Sequence, residues 1–395
     1  REPLGVEGEV AWRVPSLAAP LEGDPATFER SEAVQLFRDR GRLARPSFRL
    51  TGENAEAVAI ICRRLDGIPL AIELAAARLR LLTPQQIADG LRERFVLLTG
   101  GARTALPRQR TLEASVDWSY ALLEEEERTL FARLAVFAGS FDLDAVENVC
   151  QGGGLEPQRI LDLLASLVDK SLVQAEEGGE AVRYRLLETI RAYARQRLGE
   201  AGDGADVRDR YLAHYLALAE RAERELYGAG MAHWLAPLSA DFDNFRAALD
   251  WATGAGRADE ALRLSAALRL YCEATGRWNE GRMHLEAALA MSDGGPAVRV
   301  KALIDASHIC TYLSDWQGVL GLADEALALA EQMGDQRCVG RALALKAFAL
   351  VFIDPAPAFE LFPRALEILR PLDGGSLDDG WFLADALYCF GMLMM

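Results

Sequence analysis

Two different markers in the C-terminal third of the chain recur at nearly the same offset, and this constrains the fold more than any other feature. Gly276-Arg277-Trp278 stands ahead of Leu285-Glu286-Ala287-Ala288-Leu289, and Ser314-Asp315-Trp316 ahead of Asp324-Glu325-Ala326-Leu327. Trp278 to Trp316 is 38 positions, Leu289 to Leu327 is also 38, and Leu327 to Leu366 is 39. A single helical hairpin cannot bury its apolar face alone, so a period of this length in helix-patterned sequence predicts stacked hairpins. Small residues (Ala288, Ala326, Ala365) fall where paired helices must approach closely. Residues 256–395 are therefore expected to form about three repeats of an α-solenoid, somewhat longer than the common tetratricopeptide unit of about 34 residues.

Upstream, the pattern changes twice. Residues 1–50 are broken by Pro3, Pro15, Pro20, Pro25 and Pro46, with one short amphipathic helix expected from Ser31 to Phe37. From Glu53 the apolar positions Ala57, Ile60, Ile61 and Leu65 share a helix face. Gly67-Ile68-Pro69 ends that helix, and Pro69 suits the first turn of the next, where a missing N–H costs nothing. Leu70–Leu82 is almost wholly apolar and is expected to be a buried helix, and Thr83-Pro84 is a start signal for another. Residues 111–200 read as helices (Leu112–Leu123, Glu125–Ala138, Asp142–Cys150, Pro157–Val168), then two strands, Ser171–Ala175 and Val182–Leu186, then a helix from Glu188 to Leu198. Helices followed by a two-stranded wing make a winged-helix layout. After a Gly/Asp-rich link, residues 201–255 read as a helical connector. The fold class is thus mainly α: a helical subdomain over 51–110, a winged helix with a small β-hairpin over 111–200, and a solenoid.

Composition excludes several function classes. The 395 residues are 51% hydrophobic and 26% charged, values of a soluble globular protein. No apolar run approaches the roughly 18 residues of a membrane span. Arg1-Glu2-Pro3 does not begin a signal peptide, and both ends read as cuts through a longer, cytoplasmic protein. The six cysteines are scattered and read as buried, reduced thiols, and the four histidines show no metal-ligand spacing. The net charge is −16, and because residues 1–110 are slightly basic, the whole acidic excess lies after them. That long acidic part is a poor match to nucleic acid and a better one to protein partners.

Other constellations are read as structural. Glu124 to Glu127 fit a solvated first turn of a helix, where carboxylates favour the positive dipole end. Trp118, Trp234, Trp251, Trp278, Trp316 and Trp381, at helical spacing among Leu and Ala, read as core packing. Arg108, Arg110, Arg183, Arg185, Arg191, Arg195 and Arg197 are the densest basic set. Yet Pro157–Val168, the third-helix candidate, carries few of the Arg, Asn or Gln side chains that base readout needs. No Ser-His-Asp, Cys-His or paired-carboxylate site follows from spacing, so the chain alone is not expected to be an enzyme.

Leu65-Asp66-Gly67-Ile68-Pro69-Leu70-Ala71-Ile72-Glu73-Leu74-Ala75-Ala76-Ala77-Arg78 resembles the GxP segment of STAND signalling ATPases of the NB-ARC kind. It is especially similar to actinobacterial regulators that join this module to tetratricopeptide repeats. Four further stretches agree in order: Arg1–Leu4 resembles the strand end with the sensor arginine, Arg110–Tyr120 the start of the winged helix, and Leu134–Phe141 and Arg185–Ala194 its middle and end. The resemblance covers about residues 1–250. It implies that residues 1–50 hold the end of a nucleotide-binding core and a linker.

The resemblance implies roles for particular residues. Arg1 matches the arginine that reaches the terminal phosphate, and Pro69, with Gly67 and Leu70 beside it, matches the proline that packs on adenine. The P-loop and the acidic residues that hold magnesium are absent from this sequence, so ATP/ADP and Mg are cofactors of a parent protein, and tight binding by this chain alone is not expected. Relatives often carry a Met-His-Asp triplet whose His contacts the ADP phosphate. Here Leu186-Leu187-Glu188 stand at those positions. Either Arg185 or Arg183 substitutes, or nucleotide is sensed differently, and Leu187 reads as structural. The implied function is the regulatory and sensor portion of an ATP/ADP-switched transcriptional regulator. An inducer or protein partner would bind the repeats, and the parent could oligomerise on activation. The alternatives are a nucleotide-independent protein-binding scaffold and DNA binding through the winged helix.

Overall fold

The structure, a computed structural model, is described for residues 16–20, 28, 30–93, 112–178, 181–291, 293–372 and 377–394. It divides into two units, Arg1–Val207 and Arg208–Met395.

Among the described residues, four helices precede the winged helix in the first unit: α1 (Glu32–Ala44), α2 (Gly52–Arg64), α3 (Pro69–Ala77) and α4 (Pro84–Glu93). Their starts follow local chemistry. The Ser31 hydroxyl accepts from the Val34 N–H at 3.3 Å and donates to the Ala18 carbonyl at 2.7 Å. Thr83 and Gln86 form a reciprocal capping box, with side-chain–backbone bonds of 3.2 and 2.9 Å. Phe37, Val58, Ile61, Ile72, Leu79 and Ile87 form one buried core. The apolar helix predicted over Leu70–Leu82 stops sooner. After Ala77 the chain tightens into a 3₁₀ turn, Arg78–Arg80, which turns Leu79 into the core and leaves Leu81 80% exposed.

The winged helix follows: α5 (Leu112–Ala121), α6 (Glu125–Arg133), α7 (Leu143–Cys150), α8 (Pro157–Asp169), β1 (Gln174–Gly178), β2 (Ala181–Arg185) and α9 (Glu188–Ala201). The strands pair antiparallel, Gln174 opposite Arg185 and Gly178 opposite Ala181. Phe141 adds a bridge to Tyr184, exchanging backbone bonds of 2.8 and 2.7 Å. The first strand starts three residues later than predicted. Ser171 takes φ 58°, and Leu172 and Val173 donate back to the Leu167 carbonyl, so those residues close α8 and do not pair. The acidic turn also differs in one residue. Glu125 and Glu126 are exposed, but Glu127 is buried, holding the Lys170 ammonium at 2.6 Å and the Ser166 hydroxyl at 2.5 Å. Glu127 stands three and four positions before the buried Leu130 and Phe131, on the same face of α6, and a buried charge there must be paired.

The second unit is helical: α10 (Gly204–Leu226), α11 (Met231–Ala240), α12 (Phe242–Gly254), α13 (Ala258–Ala267), α14 (Arg269–Ala274), α15 (Trp278–Leu289), α16 (Pro296–Tyr312), α17 (Trp316–Met333), α18 (Gln336–Ile353), α19 (Ala358–Leu369) and α20 (Leu377–Met394). Consecutive helices pack from α15 through α20. The repeat markers have a physical basis. Trp278 stacks on Tyr312 with ring centroids 5.6 Å apart, and Trp316 on Phe352 at 4.1 Å, so the ring that starts one helix lies on the last turn of the next. Ala288, Ala326 and Ala365 are fully buried, and a Cβ at Gly340 would meet Ile368 at 2.9 Å. The tryptophans themselves are not core residues. Trp234, Trp251, Trp278, Trp316 and Trp381 are half-buried, as suits rings too large to enclose whose N–H needs a partner. The six cysteines are buried thiols, and burial pushes those of Cys62, Cys272, Cys338 and Cys389 up to about 12. Among the described residues no helix is long and apolar enough to cross a membrane.

Candidate functional site

The turn between α2 and α3 is built by two consecutive residues in the left-handed region, Asp66 at φ 52° and Gly67 at φ 65°. Asp tolerates this conformation better than most side chains do, while Gly pays nothing for it. Gly67 is fixed for a second reason. Its carbonyl accepts from the Leu17 N–H at 3.0 Å, and a Cβ at position 67 would lie 2.0 Å from the Leu17 carbonyl oxygen. Ile68 is then extended and Pro69 takes the first helical position of α3. Pro69 is exposed, Leu70 half-buried and Gly67 buried.

The Asp66 side chain reaches the start of α9. The Thr189 and Glu188 N–H groups and the Arg185 guanidinium favour its charged form. Burial outweighs them, and the carboxyl is pushed up from 3.8 to about 6. Asp66 Oδ2 and the Thr189 hydroxyl are both buried and, among the described residues, lack a hydrogen-bond partner. Two of the sequence segments singled out above, residues 65–78 and 185–194, thus meet at a polar contact that is incompletely satisfied.

Other side chains at this end of the winged helix are committed elsewhere. Leu186 and Leu187 are each 8% exposed and pack inward, Leu187 standing just before α9. Arg185 pairs with Glu176 at 2.5 Å. Arg183 donates to the Ser140 hydroxyl and carbonyl, both at 2.8 Å. Arg191 donates to the Phe137 carbonyl at 3.2 Å, to the Ala138 carbonyl and to Glu188. Arg1, Arg108 and Arg110 lie outside the described residues.

The exposed Pro69 ring beside half-buried Leu70 offers a flat apolar surface to a base. A nucleotide's phosphates find no grip here. Gly67 is closed off by Leu17, the position where a histidine is expected is a buried leucine, the neighbouring arginines are paired, and Asp66 presents a carboxylate.

The α8 helix, where a winged helix would read DNA, exposes Gln158, Arg159, Leu161, Asp162, Ala165 and Asp169. Arg159 is drawn to Glu126 at 3.1 Å. This face is apolar and acidic. In the second unit, a groove of about 370 Å³ runs along α10 and α13 over Leu212, Leu216 and Ala217, its rim held by the Arg257–Asp209 and Arg263–Glu220 ion pairs at 2.6 and 2.7 Å.

Sequence reasoning passed over Asp66, Thr189 and Glu127. Asp66 lies inside the quoted GxP segment, and its only local signal is an acidic residue ahead of a turn glycine. Its partner is more than a hundred positions away.

Comparison with known proteins agrees with the winged-helix layout. A family described as a winged helix-turn-helix domain matches residues 123–199. The chain is 41% identical over 408 residues to a Mycobacterium tuberculosis protein named "Putative HTH-type transcriptional regulator", covering 99% of this chain and 43% of that one. It is 44% identical over 214 residues to an uncharacterized M. tuberculosis protein, covering 54% of this chain and 52% of the other. A crystal structure of a Pyrococcus horikoshii Signal Transduction ATPase with Numerous Domains (STAND) protein with a tetratricopeptide repeat sensor is similar with a TM-score of 0.37 at 14% identity, over 91% of this chain and 51% of that one. The chain spans less than half the length of the regulator it matches.

Proposed function

We propose that this chain is the regulatory and sensor portion of a longer transcriptional regulator switched by ATP and ADP. The winged helix acts as a latch on the helical subdomain, and the repeats of the second unit take an inducer or protein partner. The reading is supported by the kinship with the named regulators and by the winged-helix match over residues 123–199.

The observation that carries it is the contact of Asp66 with the start of α9. A switch needs an element with two arrangements of similar free energy, biased by what binds. A buried carboxylate that burial disfavours, beside a buried hydroxyl without a partner, makes a contact that forms at a cost. Such a contact opens more readily than a satisfied one. Adenine supplies a stacking surface for Pro69 and Leu70 when bound, whereas the phosphate grip and any hydrolysis belong to a P-loop in the parent protein. The chain alone neither hydrolyses ATP nor holds it tightly.

Calorimetric titration of ADP with Mg tests this. The 395-residue chain should show no saturation, and the longer protein with its P-loop should saturate. If the longer protein and its P-loop Lys→Ala variant bind ADP equally weakly, the switch reading fails and the nucleotide-independent scaffold takes its place.

A further inference from the structure

The second unit holds a buried charge cluster that neither the repeat pattern nor the proposed switch uses. Arg269 on α14, 1% exposed, is its centre. Its Nε lies 2.8 Å from Asp305 on α16, its Nη1 lies 2.6 Å from Glu273, and its Nη2 donates to the Tyr227 hydroxyl at 2.6 Å. The Trp381 ring of α20 covers the guanidinium at 5.3 Å. Lys301 pairs with Asp305 at 2.9 Å and Glu223 at 2.7 Å. Three carboxylates, those of Glu223, Glu273 and Asp305, thus face two cations, Arg269 and Lys301.

His308, 3% exposed, stands where a third cation is wanted. Its Nδ1 is 2.9 Å from Glu273 Oε1 on α14 and 3.3 Å from Arg269 Nη1. A carboxylate only accepts, so each ring nitrogen needs a proton to pair with the carboxylate it faces, Nδ1 with Glu273 and Nε2 with Asp385 of α20 at 3.9 Å. A neutral ring carries one proton, so one of its two nitrogens is left as a bare lone pair. Neutral His308 therefore sets lone pair against carboxylate, and a second proton turns that contact into an ion pair. The ring also lies edge-on to Trp381 at 4.9 Å and to Phe382 at 6.1 Å, so α20 is packed around it.

We propose that His308 is a proton-operated clasp: as an imidazolium it bridges Glu273 of α14 and Asp385 of α20, and on losing a proton it releases α20. The groups that face it are Glu273 and Arg269 from α14, Asp385 from α20 and, on its own helix, the Tyr312 ring, with Asp305 and Lys301 one and two turns away. Burial opposes the charged ring most strongly, but the Asp385 and Glu273 carboxylates more than offset it, and His308 is held above its ordinary value of 6.5. A raised histidine contributes its full stabilisation below the unfolded value and loses it as pH climbs through the folded one. The clasp is therefore closed on the acid side and open on the alkaline side.

NMR titration of ring-labelled histidines in the whole chain tests this, the His308 signal being assigned by its loss in His308→Gln or, if that variant does not fold, by removing the other three histidines in turn. The expected midpoint lies above 6.5 and falls by about half a unit or more in Asp385→Asn, whose site is 38% exposed and tolerates the change. In parallel, hydrogen exchange corrected for intrinsic rates should show α20 losing protection as pH passes that midpoint in the wild type, about tenfold for each unit of upward shift, and no such step in Asp385→Asn. A midpoint at or below 6.5, a midpoint unmoved by Asp385→Asn, or α20 protection that ignores pH overturns the clasp.

Discussion

Leu17 and Gly67 are held backbone to backbone: the Leu17 N–H donates to the Gly67 carbonyl at 3.0 Å, and the Leu17 carbonyl oxygen occupies the place a Cβ on residue 67 would need, 2.0 Å away. Gly67→Ala must therefore both adopt a left-handed φ and displace the Leu17 backbone. The expected cost is more than about 2 kcal/mol, beyond the usual single-substitution effect. Urea unfolding of the whole chain checks this, and a loss below about 0.5 kcal/mol would show that residues 16–20 do not pack there.

Asp66 gives the first unit a pH dependence of unusual sign. Its folded value, about 6, lies above its ordinary value of 3.8, so the folded chain holds the proton more tightly than the unfolded one. Stability from this group is full below the unfolded value and falls as pH rises through the folded one, by an amount on the order of 2 kcal/mol. Asp66→Asn removes the charge that burial penalises. The variant should be more stable than wild type at pH 7.5 and indistinguishable from it near pH 4, by denaturant midpoints on one protein sample series. Parallel profiles at all pH values would exclude Asp66 as the titrating group.

The winged helix should not bind DNA. Its exposed α8 face carries Leu161, Asp162 and Asp169, and the one basic residue there is paired with Glu126. Phosphate contacts are what supply salt-dependent affinity, and this face offers none that is uncommitted. A mobility-shift assay at low salt should show no retarded band. A band that fades as salt rises and disappears in the Arg183→Ala, Arg185→Ala double variant would make the winged helix a DNA reader.

The pieces of this protein that could be read from its sequence are those whose cause is local. Thr83-Pro84 at one helix start, Pro69 at another and Trp278 with Trp316 all act within a few residues or one period, so residue order reveals them. Most of the places that residue order hides were decided at long range, although one, at Ser171, is local. Ser171 turns left-handed to close α8, which strand-forming composition in Leu172 and Val173 disguised. Glu127 looks like its exposed neighbours and differs only because Lys170 and Ser166 come round to meet it. Asp66 faces Thr189 and Glu188, and His308 faces Glu273 and Asp385. The pairs Arg269–Glu273 and Lys301–Asp305 stand four apart, a spacing common on solvated helix surfaces, and nothing local tells that Arg269, Glu273 and Asp305 lie inside.

The ring stacks of the second unit decide where it can be cut. Trp278 rests on Tyr312, and Trp316 on Phe352, each across the junction between one hairpin and the next. A shortened protein that stops at the end of a hairpin leaves its last tryptophan bare, an adhesive apolar surface. One that stops a helix later, after Tyr312 or after Phe352, keeps that ring covered. For dissecting this chain, the useful module runs from one repeat tryptophan to the end of the helix that precedes the next.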